Sequence, residues 1–130
     1  MKVLALDYGS ARTGVAVSDP TGTLARPLGV VERASTETGL AELVRLAREE
    51  EVERIVVGLP LTLRGTRGEQ AAETERFVEM LRRVVDLPVE LFDERFTTDL
   101  AQQTAGGAPE DALAAAHLLS TYLEWCAARS

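Results

Sequence analysis

Three apolar β-type runs open the chain on links too short to hold a helix, and after them helical and strand periods alternate. The first run is Lys2 to Asp7, stopped by Tyr8-Gly9-Ser10, and the second is Gly14 to Ser18. The third spans roughly Thr23 to Val31, after the turn sequence Asp19-Pro20-Thr21-Gly22. In such a turn Pro fixes φ and Gly supplies positive φ. Short links join antiparallel neighbours, so the three runs read as a meander. Pro27 cannot donate to a ladder, which puts the third strand at an edge or a bulge.

Thr38 to Glu51 carries Leu40, Leu43, Val44 and Ala47 at offsets 0, 3, 4 and 7, one apolar helical stripe. Arg54 to Gly58 is a buried strand, and Thr62 to Gly68 is a polar loop holding Arg64 and Arg67. A second helix runs from about Glu69 to Val85, with Phe77, Met80, Leu81 and Val84 repeating the same offsets. Pro88 to Asp93 is a fifth strand, Thr97 to Thr104 a short helix, Gly106-Gly107-Ala108-Pro109 a break, and Glu110 to Ala128 the last helix. The order β-β-β-α-β-α-β-α predicts an α/β fold. Its mixed five-stranded sheet is parallel in the second half and has helices on both faces. At 130 residues and 45% hydrophobic, the chain suits one domain over residues 1–130 and leaves no room for two.

No window holds the roughly 18 apolar residues of a membrane span, and the N-terminus lacks the pattern of a signal peptide. The single cysteine, Cys126, has no internal partner, so a cytoplasmic setting is expected. It sits in an apolar helical run and reads as a small core residue. The net charge of −7 argues against a polyanion bound by the whole surface. Thirteen of the fourteen basic residues are Arg, however, and much of the acid lies in solvated stretches such as Arg48 to Glu53. A local arginine rim together with divalent cations is the arrangement that could still hold nucleic acid.

Three sets of acids stand where a core would not place them. Asp7 ends an apolar strand, Asp93 and Glu94 end another, and Asp111 opens a helix of mostly Ala and Leu. Each has an ordinary reading as a turn residue, an ion-pair cluster or a helix-start acid. Together, at the strand ends of an open sheet, they read as a ligand site. Carboxylates drawn from separate elements repel one another unless a cation lies among them. With no Cys or His beside them they suit Mg²⁺ or Mn²⁺. Two such ions about 4 Å apart can activate a water and stabilise the leaving oxygen of a phosphodiester. Adjacent strand residues face opposite ways, so periodicity alone leaves Asp93 and Glu94 as alternatives. Arg12, Arg26, Arg64, Arg67 and Arg95 lie in or beside these segments and could grip phosphates. His117 follows Asp111 by six residues, roughly 240° around the helix, and reads as a core or interface residue.

Several segments resemble the YqgF/RuvX family. They are Ala5-Leu6-Asp7-Tyr8-Gly9 with Arg12 to Ser18, Ala25-Arg26-Pro27-Leu28, and Val57-Gly58-Leu59-Pro60-Leu61 with Gly65 and Phe77 after it. Asp93-Glu94-Arg95-Phe96-Thr97-Thr98 and Asp111 to Ala116, followed by Tyr122-Leu123, complete the set, in order over nearly the whole chain. The resemblance implies an RNase H-like fold and a cytoplasmic nuclease linked to maturation of the 16S rRNA precursor. It also implies a candidate Holliday junction resolvase, by likeness to the RuvC type. It implies catalytic, metal-holding acids at Asp7, Glu94 and Asp111, with Asp93 in reserve, and nucleic-acid contacts from Arg12, Arg64, Arg67 and Arg95. Members of the family usually carry a Lys two residues before the last acid and a longer segment ahead of it; here Pro109 takes that place. The expected partner is structured RNA or branched DNA and not a membrane, and a homodimer stays open. Two non-nuclease alternatives are a nucleotide-binding module and a non-catalytic ribosome-assembly module. The first rests on the likeness of Asp7-x-Gly9 to the phosphate loop of actin-like and sugar-kinase ATPases, which pair two such domains.

Overall fold

The apolar run that opens the chain forms the middle of a sheet and is covered on both sides. A computed structural model describes residues 1–61, 68–96 and 109–129. Its strands are β1 (Val3–Asp7), β2 (Arg12–Ser18), β3 (Ala25–Glu32), β4 (Arg54–Leu59) and β5 (Val89–Asp93). They lie in the order β3-β2-β1-β4-β5. β1, β2 and β3 are antiparallel neighbours, whereas β4 runs parallel to both β1 and β5. The helices are α1 (Glu37–Glu49), α2 (Glu69–Arg82) and α3 (Glu110–Ala128).

Strand alternation divides the apolar residues between two cores. Leu4, Leu6, Val15, Val17, Ile55 and Val57 pack with Leu40 and Leu43 of α1 and Phe77 and Leu81 of α2. On the other face Val3, Ala5, Ala16, Val56 and Phe92 pack with Ala115, Leu118, Leu119 and Tyr122 of α3. The expected mixed sheet with helices on both faces is therefore the observed one. Pro27 satisfies both readings of its strand: β3 is at the sheet edge, and the ladder shifts register where Ala16 pairs Pro27 after Val15 pairs Gly29.

Some boundaries differ from those expected. α1 begins at Glu37, where the Thr36 hydroxyl accepts the Gly39 N–H at 3.1 Å, and it ends two residues before Glu51. Glu51 has φ 55°, a left-handed conformation that a helix cannot continue through. α2 ends at Arg82, so Val84 falls past the helix and is 46% exposed rather than on the buried stripe. The buried face of α2 is Ala71, Thr74, Phe77, Val78 and Leu81. Cys126 is half-buried at the margin of the α3 core, and His117 is half-buried rather than a core residue. The helix expected at Thr97 to Thr104, the break at Gly106 to Ala108 and the loop at 62–67 lie outside the described residues. Among the described residues no helix is long and apolar enough to cross a membrane.

A polar contact fixes the far half of α3 to the sheet. The buried Tyr122 hydroxyl donates to Glu90 Oε1 at 2.8 Å and accepts from Arg54 at 2.9 Å, while Arg54 and Glu90 pair at 3.3 Å. The Phe92 ring meets Tyr122 and Trp125 edge-on, at 5.4 and 5.7 Å. Removing the hydroxyl leaves a charged pair short of a partner, so Tyr122→Phe should destabilise by about 1–3 kcal/mol in urea unfolding. A loss under about 0.5 kcal/mol would show that the contact does not secure α3.

Candidate active site

Alternation along β1 and β5 decides which acids can meet. Asp7 follows Val3 and Ala5 and so belongs to the α3 face of the sheet. Glu94 comes two residues after Phe92, which also packs on that face, and it opens a single 3₁₀ turn, Glu94–Phe96. Asp93 belongs to the opposite parity. Its carboxylate accepts from the Arg95 backbone N–H at 2.9 Å and from the Arg95 guanidinium at 2.6 to 3.1 Å.

Two glycines admit the partners of Asp7. On β2, Gly14 is the residue paired with Asp7. A Cβ there would overlap the Asp111 carbonyl oxygen, so the bare backbone is what lets the start of α3 reach the sheet beside Asp7. On β4 the last pair with β1 is Leu6 with Val57, which makes Gly58 the next residue toward Asp7. A Cβ on Gly58 would lie 2.5 Å from Glu94 Oε1 and 2.7 Å from its Cγ. Glu94 therefore crosses to Asp7 over a residue with no side chain. Sequence reading missed the role of both glycines; a glycine inside an apolar strand was the available signal.

The carboxyls of Asp7 and Glu94 lie close enough that each shifts the titration of the other. Burial, then hydrogen bonding with Asp7, then the charges of Asp7 and Asp93 push Glu94 up to about 8. Burial also raises Asp7; hydrogen bonding with Glu94 opposes this and the charge of Asp111 adds to it. Glu94 therefore keeps its proton to higher pH than an ordinary glutamate does. Asp111 is the second residue of α3, and its carboxylate pairs with Arg12 Nε at 3.1 Å. Among the described residues no three His, Cys, Asp or Glu side chains are gathered as a metal-holding group. The donor chemistry nonetheless fits a hard divalent cation: two half-buried carboxyls made costly to ionise by burial, with a third acid near enough to act on Asp7.

A cavity of about 210 Å³ opens beside the pair, lined also by Ser10, Pro60 and, from α2, Gln70 and Glu73. The Tyr8 ring, also at the cavity, stacks on Phe77 at 4.3 Å. Gln70 and Glu73 gave no sign in the sequence, because they read as an ordinary solvated helix face. Of the arginines, Arg12 is beside Asp111 and Arg95 beside Asp93. Arg26 does not join them. It pairs with Glu50 at 3.5 Å at the opposite end of the sheet, where Val17 opposite it in β2 is matched with Leu4 of β1. Arg64 and Arg67 lie outside the described residues.

The RuvX family model, described as Holliday junction resolvase, matches residues 1–125. A protein of Chloroflexus aurantiacus is 42% identical over 131 residues, covering 94% of this chain and 86% of its own length. One of Chloroflexus aggregans is 43% identical over 131 residues, covering 94% of this chain and 92% of its own. Both carry the provisional name pre-16S rRNA nuclease. Thermus thermophilus RuvC in complex with a Holliday junction substrate has a TM-score of 0.64 over 97% of this chain and 96% of that one. At 17% identity this is a likeness of fold, the RNase H-like one.

The raised Glu94 value sets a pH dependence. The folded state holds this proton more tightly than the unfolded chain does. That contribution to stability is full below the ordinary value of 4.5 and is lost as pH rises through about 8. Without metal, wild-type Tm should fall relative to Glu94→Gln across that window. Gly58→Ala, which pushes the flexible Glu94 carboxyl off Asp7, should flatten the fall in the same way. Gly14→Ala meets backbone instead and should lower Tm at every pH. Parallel profiles for wild type and Glu94→Gln would contradict the raised Glu94 value.

Proposed function

This chain belongs to the RuvX family, and from that premise and the acid geometry we propose that it is a metal-dependent nuclease. Its proposed reaction is phosphodiester hydrolysis at the 5′ end of the 16S rRNA precursor, carried out in the cytoplasm by one domain over residues 1–130. The observation that carries the reading is the gathering of Glu94, across Gly58, and of Asp111, against Gly14, beside Asp7. The names of the relatives from Chloroflexus support the RNA substrate.

In hydrolysis the water oxygen bonds to phosphorus and gives up a proton, one P–O ester bond breaks, and the departing oxygen takes up a proton to become a hydroxyl. Asp7, Glu94 and Asp111 would hold Mg²⁺ or Mn²⁺, which when bound would supply Lewis-acid stabilisation and an activated water. For Glu94 to ligate as a carboxylate, its proton must leave, and burial makes the uncompensated pair unfavourable without a cation. Asp93 acts by holding Arg95. Arg12 and Arg95 stand beside the acids, where guanidinium groups would hold the phosphates flanking the scissile bond. Arg64 and Arg67 are proposed to add contacts of the same kind.

A second reading, cleavage of branched DNA, is favoured by the description of the family model and by the likeness in fold to a RuvC. Cleavage of a precursor 16S rRNA 5′ fragment beside a four-way DNA junction, with Mg²⁺, Mn²⁺ or EDTA, separates the two. We expect the RNA to be cut, and nothing to be cut in EDTA. Preference for the junction would favour the second reading, and full activity in EDTA would remove the metal. Asp7→Asn and Glu94→Gln should lose nearly all turnover, and Asp93→Asn should keep a measurable part. The reverse ranking of Glu94→Gln and Asp93→Asn would overturn the assignment of Glu94.

A further inference from the structure

We infer that the cavity beside Asp7 and Glu94 receives the ribose of a nucleotide next to the scissile phosphate, with Glu73 and Gln70 reading its 2′-hydroxyl. The inference rests on the nuclease reading above and gives it a basis for choosing RNA.

The described lining of the cavity suits a sugar better than the other parts of a nucleotide. Its described wall carries three carboxylates, from Asp7, Glu73 and Glu94, and no Lys or Arg. A second phosphate there, beyond the scissile one that a cation on the acids would hold, would face like charge. A proton or a cation on Asp7 and Glu94 would still leave Glu73. A base needs an aromatic or apolar face to stack on. Among the described lining residues the aromatic one is Tyr8, and Phe77 covers one face of its ring, with 15° between the planes.

A ribose matches what remains. Its hydroxyls can donate to a carboxylate and accept from an amide N–H, the groups that Glu73 and Gln70 present. The two residues are three apart on α2 and so lie on one helix face. That first stretch of α2 is held in place by the buried Ala71 and Thr74, and the Thr74 hydroxyl donates to the Gln70 carbonyl at 2.8 Å. The Ser10 hydroxyl adds a polar group from the loop after β1. At about 210 Å³ the cavity has room for a sugar ring. The 2′-hydroxyl is the group by which a protein separates RNA from DNA at one position. A deoxyribose would leave Glu73 without the donor that a ribose supplies.

The test uses a precursor 16S rRNA 5′ fragment, all ribose or with one 2′-deoxy substitution on either side of the cut. Cleavage is read as kcat/KM, and binding by anisotropy in EDTA. For wild type, one of the two deoxy positions should lower kcat/KM by about 10- to 100-fold. Glu73→Ala, a change at an exposed helix position, should bring the rates on the all-ribose and deoxy fragments much closer together and should keep the wild-type Tm. Gln70→Ala should shrink the ratio in the same direction. Equal cutting of ribose and deoxy fragments by wild type would overturn this inference and leave the nuclease reading standing. So would a Glu73→Ala variant that keeps the wild-type ratio or loses all cutting. A wild type that cuts neither fragment with metal present would overturn both readings.

Discussion

Asp7 stands on the central strand with a glycine on each side, and the space left by both missing side chains is used. Gly14 lets the backbone of α3 come down beside it, and Gly58 lets Glu94 pass over β4 to reach it. In the centre of a sheet covered on both faces, room is otherwise filled by side chains to crystal-like density. An acid at the end of β1 could not gather partners from β5 and α3 if either neighbour carried a Cβ. The arrangement brings together like charges in a partly dry place, which is unfavourable for the folded protein on its own. The proton that Glu94 keeps and the pairing of Asp111 with Arg12 each relieve part of that repulsion.

The rest of the fold holds these parts at their distances. The acid at the start of α3 is set by where that helix lies on the sheet. At its other half the helix is fixed by the bonds among Tyr122, Glu90 and Arg54 and by ring contacts with Phe92. The molecule is acidic overall, at −7, yet guanidinium groups stand beside two of the acid positions. Charge is therefore distributed by position, and whole-chain charge was a poor guide to the chemistry of this edge of the sheet.

Much of this was legible in the residues, for identifiable reasons. Strand runs with β-type periodicity and helices with apolar stripes gave the element order, because burial on two faces makes β1 and β4 apolar throughout. α3 was read with its observed bounds, since its apolar run is long and bounded by Pro109. α2 was overextended because Val84 continues the spacing past the turn where the helix stops. The choice between Asp93 and Glu94 was not available from periodicity. It depends on Phe92 packing under α3, and Val89, Leu91 and Phe92 look alike in sequence. Arg26 sits in a motif segment, but antiparallel register carries it to the far end of the sheet. Glu73 and Gln70 were invisible because a helix face lining a cavity and one facing open water have the same composition.

Calorimetric titration of the metal-free protein with Mg²⁺ tests the central claim, that the acids gathered across Gly14 and Gly58 hold a divalent cation. It is run near pH 7 in two buffers of different ionisation enthalpy. The account expects binding with release of about one proton, because ligands must deprotonate to hold metal. Release should fade above about pH 8, where Glu94 has already given up its proton, and Asp7→Asn should abolish the binding heat. Binding with no proton release near pH 7, or Mg²⁺ heat unchanged in Asp7→Asn, would contradict it.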